Sequence, residues 1–215
     1  MGVAWDTTVA MTRLKAAAGR AAVVSVAIVA GLALTGCDGD DAPPADTTAL
    51  TPQVPDGEYL CEFVPEASVV LALGADELAS DGRVTRGPTR GRPDDTLSAA
   101  TCDVAVEDDD VLSVDVSYML GYAGDGFRDR LSWDEFNQLA DDAGLGYSWT
   151  DEPDGDDPGV GEARLSHGDY LIEVRVVGIA EGRDPEADAV AWAQQTVQTL
   201  EIPDEWTWPG QPPSR

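Results

Sequence analysis

Residues that commonly serve in catalytic and metal sites are scarce in this sequence. It contains one histidine, His167, and its three cysteines form no CxxC pair. It also lacks the Gly-x-Ser-x-Gly, HExxH and GxGxxG motifs and a phosphate-binding glycine loop. These absences count against serine hydrolases, zinc peptidases and nucleotide-binding enzymes. A Ser-His-Asp arrangement would have to use His167, which stands beside Gly168 in a predicted hairpin turn, where an exposed imidazole without a catalytic role is the ordinary finding.

Basic residues are scarce as well. The chain has 13 Lys and Arg residues against 41 Asp and Glu residues, which gives a formal net charge of −28. A surface this negative repels nucleic acid and anionic lipid headgroups. Nucleic acid is therefore not a predicted partner.

One extended apolar run occurs near the N-terminus, from Ala21 to Leu34. Its 14 residues fall short of the roughly 20 that a helix needs to span a bilayer. The run ends in the stretch Leu34-Thr35-Gly36-Cys37, and it is preceded by three basic residues, Arg13, Lys15 and Arg20. A basic region, a short apolar region and small residues at the end are typical of a signal peptide.

The stretch that ends at Cys37 resembles the lipobox of bacterial lipoproteins, in which the thiol receives diacylglycerol and the cysteine becomes the new N-terminus. The resemblance implies that residues 1–36 are a signal peptide. It also implies that Cys37 carries an acyl anchor such as palmitate and holds the protein on the extracytoplasmic side of the cell membrane. An ordinary signal peptide with an incidental cysteine and an uncleaved anchor are the alternatives, and Met11 is an alternative start.

The rest of the chain divides into three parts. Removal of residues 1–36 would leave 10 Arg, no Lys and 40 acidic residues, a formal charge of −30 over 179 residues. Residues 37–58 are an acidic linker, rich in Pro and Thr and with almost no apolar residues to bury. Residues 59–203 have the length of one domain. Residues 204–215 form a tail rich in Trp and Pro.

Cys61 and Cys102 remain once Cys37 is assigned to lipid. In an extracytoplasmic compartment disulfides persist, so these two cysteines are predicted to form a bridge. The alternative, a pair of thiols that binds a metal, would need further Cys or His residues nearby. A structural disulfide is therefore favoured, and no metal or cofactor is predicted.

The first half of the domain reads as a helix and two strands. A short apolar helix is predicted from Pro65 to Leu73, with Gly74 as its stop. A Gly- and Arg-rich loop from Asp81 to Asp95 follows. Strands are then predicted from Leu97 to Val106 and, because apolar and polar residues alternate, from Leu112 to Tyr118.

The second half repeats this order and adds a helix. Ser132 and Glu135 form a capping box that predicts a helix from Ser132 to Ala143. A hairpin is predicted from Ala163–Ser166 and Tyr170–Gly178. Asp184 caps a last helix that begins at Pro185 and runs to about Leu200. Its predicted buried stripe consists of Val190, Ala193, Val197 and Leu200.

These elements give the order αββ-αββ-α. Strands joined by hairpins pair antiparallel, and helices must cover one face of the sheet. The sequence therefore predicts an α+β fold, a single two-layer domain with helices packed on an antiparallel sheet.

The chain resembles the small secreted lipoproteins of actinobacteria that are grouped as a domain of unknown function. The features in common are a Cys that opens a short helix, at Cys61 and residues 69–74, and a second Cys in a strand, at Cys102. They continue with Gly159-Val160-Gly161-Glu162-Ala163, a β-hairpin and a closing helix with Ala191-Trp192-Ala193. An aromatic residue often follows the second Cys closely in that group, whereas this chain has Asp103-Val104. The resemblance implies no catalytic residues.

The acidic loops do not form a recognisable metal site. Asp154, Asp156 and Gly159 fit the first, third and sixth positions of an EF-hand loop, but Pro158 and Leu165 stand where two ligands are needed. Asp108–Asp110 read as a solvated turn. A carboxylate pair for glycoside hydrolysis can be drawn from 40 acidic residues in many ways, so their abundance carries no information.

Aromatic residues are the remaining candidates for a contact with a partner. Trp206 and Trp208 in the tail either cap the sheet or contact a partner or a glycan. Trp133, Tyr147 and Trp149 lie near the central acidic loop and could line a pocket in the same way. Large rings give much buried area for little conformational entropy.

The leading hypothesis from the sequence is a membrane-anchored, extracytoplasmic lipoprotein that acts as a non-enzymatic binding or accessory module of the cell envelope. Its predicted partners are the membrane, through the lipid on Cys37, and an unknown envelope ligand or protein. The alternatives are an envelope hydrolase that works through carboxylates and a structural spacer.

Overall fold

A seven-stranded antiparallel sheet dominates the computed structural model, which describes residues 48–88, 95–119, 127, 129–141, 143–151 and 159–204. Ahead of it a two-stranded ribbon is formed by β1 (Tyr59–Leu60) and β2 (Val64–Pro65). The large sheet consists of β3 (Ala79–Arg86), β4 (Leu97–Val106), β5 (Asp109–Tyr118), β6 (Asn137–Gln138), β7 (Leu145–Asp151), β8 (Val160–His167) and β9 (Tyr170–Val177).

The strand order is β3-β4-β5-β9-β8-β7-β6, with antiparallel pairing throughout. Strands β3 to β5 form one meander and β7 to β9 form another. The two meanders join at the centre through β5 and β9, where Val114 lies opposite Val174. The predicted hairpins β4–β5 and β8–β9 are confirmed.

Two described helices lie on one face of the sheet. Helix α1 (Glu66–Leu73) ends at Gly74, whose N–H donates to the Val70 carbonyl, as predicted. Helix α2 (Pro185–Thr199) begins at Asp184, whose carboxylate accepts from the N–H groups of residues 186 and 187. The predicted N-cap of the last helix is therefore confirmed, and the fold is of the α+β class.

The core lies between these helices and the inward rows of β4, β5, β8 and β9. Strand β9 alternates between the two faces of the sheet, since Ile172, Val174 and Val176 are buried and the residues between them are not. On α2 the predicted stripe is rotated: Val190 and Val197 are only half-buried, and Trp192, 1% exposed, is the central side chain. The buried face of α2 consists of Asp188, Ala189, Ala191, Trp192, Ala193, Gln195, Thr196 and Leu200.

The start of α2 lies directly against the backbone of β8. A methyl group at Gly161 would overlap the carbonyl of Pro185, so a larger residue at this position would push the helix off the sheet. The glycine therefore sets the distance between α2 and the sheet.

The predicted disulfide joins Cys61 and Cys102, whose Cα atoms are 5.6 Å apart. It ties the end of the ribbon to β4 and crosses over β3 at Gly82. A Cβ atom at Gly82 would stand 2.7 Å from the Cys61 sulfur, so a glycine there makes room for the bridge.

The segment from Thr48 to Gln53, which we call the strap, packs on α2. Leu50 is buried, and its N–H donates to the Asp188 Oδ1 at 2.8 Å. Gln195 Nε2 donates to the carbonyl of Thr51 at 2.8 Å, and Gln198 Nε2 donates to that of Pro52 at 2.6 Å. The sequence assigned these residues to the linker 37–58, whereas in the structure the packed part of the chain already includes Leu50.

The helix predicted from Ser132 to Ala143 is wrong. The Ser132 hydroxyl donates to the Asp129 carbonyl at 2.6 Å instead of capping the start of a helix. Residues 137 and 138 pair with β7 instead, and the Leu139 N–H donates to the Gly146 carbonyl at 3.1 Å. Tertiary pairing and the contacts of Phe136 with other aromatic rings override the local capping signal.

The order αββ-αββ-α is not confirmed, because each half contains strands that the sequence did not predict. Strand β3 (Ala79–Arg86) includes the first six residues of the predicted loop from Asp81 to Asp95, and β7 precedes the second hairpin. Within the described ranges, no helix is both long and apolar enough to cross a membrane.

Candidate functional site

The face of the sheet that points away from α1 and α2 carries polar side chains in two rows. We call it the open face. Alternation along each strand separates it from the buried face, so the positions that lie opposite one another fall into line across the strands. From β3 to β7 the first row contains Arg83, Thr101, Asp115, Glu173, Arg164 and Tyr147, and the second contains Asp81, Asp103, Ser113, Arg175, Glu162 and Trp149.

Two ion pairs join β8 and β9 on the open face. Arg164 Nε lies 2.8 Å from Glu173 Oε1, and Arg175 Nε lies 3.3 Å from Glu162 Oε1. Each pair connects residues directly opposite in the register. Partly exposed pairs of this kind contribute about 0–1 kcal/mol each, so they order the side chains more than they stabilise the fold.

Carboxylates dominate the next part of the open face. Asp81 lies opposite Asp103, and Asp115 lies opposite Glu173. Burial raises the pKa of Asp115, and the neighbouring Asp103 raises it further. Like charges that face each other across strands destabilise a sheet, so these facing carboxylates lower the stability of the sheet in this region.

Glu162 also holds its proton more tightly than an ordinary glutamate. Partial burial raises the pKa of Glu162, although Arg175 and Arg164 act in the opposite direction. A carboxyl with a raised pKa is the group that acid catalysis requires, so Glu162 and Asp115 are the two described candidates for such a role on the open face.

An aromatic cluster lies at the β7 end of the open face. Phe136 is its central ring, with centroids 4.6 Å from Tyr147, 5.2 Å from Trp149 and 5.9 Å from Trp133. Trp133 is 51% exposed, whereas Tyr147 is buried. The cluster consists of Phe127, Trp133, Phe136, Tyr147 and Trp149.

Two arginines hold this cluster from its polar side. Arg130 Nη1 donates to the Tyr147 hydroxyl at 2.6 Å, and Arg164 Nη1 donates to the same oxygen at 3.4 Å. The Arg164 guanidinium also lies 5.4 Å from the centroid of Trp149. Arginine planes over aromatic faces attract the ring electrons, so the rings and the charges fix one another's positions.

The cluster brings together three residues that the sequence singled out, Trp133, Tyr147 and Trp149. Tyr147 and Trp149 are two residues apart on β7 and therefore share the open face. Arg130, Phe136 and Arg164 also belong to this site, although the sequence did not predict them as members. The spacing of Tyr147 and Trp149 was the one available signal, since alternate aromatic residues indicate a shared strand face.

Other predicted site residues do not join the cluster. His167 ends β8, lies opposite Tyr170 and is half-buried beside a cavity of about 260 Å³. Cys37, Trp206, Trp208 and the acidic residues 152–158 lie outside the described residues. Among the residues that the structure describes, no group of three or more His, Cys, Asp or Glu side chains is arranged to hold a metal ion.

Two larger cavities lie away from the cluster. A groove of about 340 Å³ runs between the strap, α1 and α2 and is lined in part by Leu50, Leu71 and Gln195. A second cavity, of about 640 Å³, lies between the start of β3 and the turn after β4, and its walls include Asp76, Glu77, Glu107 and Asp108.

We expect the Asp115→Asn variant to unfold at a slightly higher temperature than the wild type at pH 7 and at the same temperature near pH 2.5. A carboxyl whose pKa is raised by folding binds its proton more tightly in the folded state, so its contribution to stability falls as pH rises above the usual pKa. Replacing the Asp115 carboxyl by an amide, which does not ionise, removes this loss of stability at pH 7. Because Asp115 is only partly buried and solvent screens its charge, the gain stays below about 0.5 kcal/mol.

Thermal unfolding at the two pH values measures this difference. Asp109→Asn, at the start of the same strand, is the matched control. An equal shift at both pH values, or a lower melting temperature at pH 7, would contradict the electrostatic explanation.

Comparison with known proteins found no matching family model, no matching curated protein and no matching solved structure.

Proposed function

We propose that this protein is a lipid-anchored, extracytoplasmic binding module of the cell envelope, and that the open face is its binding surface. The observation that carries this proposal is the half-exposed Trp133 on an aromatic cluster held in place by two arginines. A large ring that stays exposed on an ordered support is a common feature of recognition surfaces. The proposed role is non-enzymatic.

The anchor is proposed from the sequence. The basic residues, the apolar run and the small residues before Cys37 together support cleavage after residue 36 and lipidation of the new N-terminal cysteine. The partner at this end of the chain is then the membrane itself. We also propose kinship with the small actinobacterial lipoproteins, supported by the Cys61–Cys102 bridge and the closing helix α2.

The position of the strap supports an outward-facing binding surface. The chain enters the domain at Leu50, on the helix side of the sheet. Twelve residues lie between Cys37 and Leu50, so these two positions can be about 45 Å apart at most. The tether therefore leaves from the helix layer, and the open face lies on the side of the domain opposite the point of attachment.

We expect the Cys37→Ser variant to lose both its lipid and its membrane association. The serine hydroxyl cannot form the thioether, so the chain would stay unprocessed or be released. Incorporation of labelled palmitate and fractionation of cells measure the two losses. The Cys61→Ala/Cys102→Ala double variant is the control, because it removes the other two cysteines and should keep the label. A wild-type protein that takes no label would contradict the proposed anchor.

A second candidate function is supported by the raised pKa values of Glu162 and Asp115. It is a hydrolase of envelope glycan or peptide that works through carboxylates. If it is correct, the intact protein turns over cell-wall glycan or peptide, and Glu162→Gln or Asp115→Asn abolishes the turnover. Absence of turnover by the intact protein would exclude it. If the open face also binds no ligand, a structural spacer is the remaining role.

A further inference from the structure

We infer that the corner of the open face around Trp133 and Trp149 binds a neutral glycan chain. This inference rests on the proposed binding function and names the chemistry of its ligand. It follows from three properties of the corner: a fixed aromatic surface, a set of paired polar groups beside it, and the charge of the whole chain.

The aromatic surface is ordered before any ligand arrives. Trp133 stacks on Phe136 with 23° between the ring planes, and Phe136 in turn contacts Tyr147 and Trp149. Because these contacts fix the rings, little side-chain entropy remains to be lost on binding. A sugar ring has a flat face of C–H groups, and that face packs against an indole ring.

The polar groups beside the rings fit hydroxyl groups. Trp149 lies opposite Glu162, and Tyr147 lies opposite Arg164, on the neighbouring strand. Glu162 and Arg164 are paired with Arg175 and Glu173 on the strand after that. Carboxylates accept and guanidiniums donate hydrogen bonds in fixed planes, and a hydroxyl group can do both. The strands are about 4.8 Å apart, so the ladder continues the aromatic surface over roughly 10 Å.

The charges favour a neutral ligand. The four ladder residues compensate one another, so a charged ligand would have to break existing ion pairs. An anionic polymer would also meet the repulsion of a chain with a net charge of −28. A cationic peptide would be attracted by Asp103 and Asp115, but the two arginines of the ladder stand between those carboxylates and Trp133.

The experiment is a calorimetric titration of the lipidated protein, held in a detergent without sugar groups, with neutral tetrasaccharides. Maltotetraose, cellotetraose, mannotetraose and tetra-N-acetylchitotetraose are the probes. We expect saturable binding of at least one of them. Trp133→Ala should weaken that binding at least tenfold. Glu162→Gln should also weaken it, because the loss of one acceptor leaves a sugar hydroxyl without its partner.

Leu71→Ala is the matched control. Leu71 is 41% exposed on α1, in the helix layer, so its replacement also removes an exposed apolar side chain, but from the opposite side of the domain. This variant should bind as the wild type does. Near-UV circular dichroism of Trp133→Ala checks that the remaining aromatic side chains keep their packing.

Three results would overturn the inference: no saturable binding of any tetrasaccharide, binding that Trp133→Ala leaves unchanged, or binding of tetralysine in preference to every sugar. The first result, together with a lipid-labelled Cys37, would refute the glycan ligand and leave the proposal of an anchored binding module standing. Sugar binding by a protein whose Cys37 takes no lipid would instead refute the proposed anchor and support the glycan site.

Discussion

We expect the Arg183→Ala variant to lose about 3–5 kcal/mol of unfolding free energy, because it leaves a buried carboxylate without its cation. Arg183 Nε and Nη2 each donate to Asp188 at 2.8 Å, and neither side chain has exposed area. Asp188 Oδ1 also accepts the N–H of Leu50. The loss is measured by urea denaturation of the wild type and the variant.

Arg175→Ala is the matched control for this prediction. It removes an arginine from another ion pair with a carboxylate, but the Arg175 side chain is 54% exposed, so the loss should stay below about 1 kcal/mol. A double variant, Arg183→Met with Asp188→Leu, should recover part of the loss because no charge is left buried. Equal losses of unfolding free energy in Arg183→Ala and Arg175→Ala would show that burial does not increase the contribution of the Arg183–Asp188 pair to stability.

The second large effect is expected from the disulfide. The Cys61→Ala/Cys102→Ala double variant should lose about 4 kcal/mol, because the bridge closes a loop between residues 41 positions apart and restricts the unfolded chain. Guanidinium denaturation of the wild type and the variant measures the difference. A loss of this size is a large part of the stability of an ordinary domain, so the fold should depend on the oxidised bridge for much of its margin of stability.

A reductant provides the control for the disulfide. It should lower the denaturation midpoint of the wild type to near that of the double variant, and it should leave the double variant unchanged. If the reduced wild type, with both thiols titrated, kept its midpoint, the bridge would contribute no stability and the chain-entropy argument would not apply here.

The elements that the sequence predicted well are those whose own residues contain the signal. The hairpins β4–β5 and β8–β9 alternate apolar and polar residues because one face of each strand is buried. The ends of α2 and α1 are set by local groups, the Asp184 carboxylate and Gly74. The disulfide followed from the cysteine count, once Cys37 was assigned to lipid and the domain to an extracytoplasmic compartment.

The elements that the sequence missed depend on partners far along the chain. Strand β3 is exposed over almost its whole length, so no alternation marks it, and only its pairing with β4 makes it a strand. The sequence after Ser132 has the pattern of a capping box, but no helix forms from Ser132 to Ala143. The contacts of Phe136 with Tyr147 and Trp149 favour another backbone conformation. The strap was read as linker because a single leucine, Leu50, carries its burial.

The candidate site shows the same division. Three of its aromatic residues were predicted from the sequence, because large rings near an acidic loop are candidates for a binding surface in any fold. Its arginines were not, since Arg130 and Arg164 are separated by a long stretch of chain and meet only at the Tyr147 hydroxyl.

The strap has a mechanical consequence. A pull on the chain ahead of Thr48 would reach the domain through the strap, where the Leu50 N–H is bonded to the same Asp188 that holds Arg183. The strap and the buried ion pair therefore share one carboxylate, that of Asp188. A force strong enough to pull the strap off α2 would also strain the Arg183–Asp188 pair.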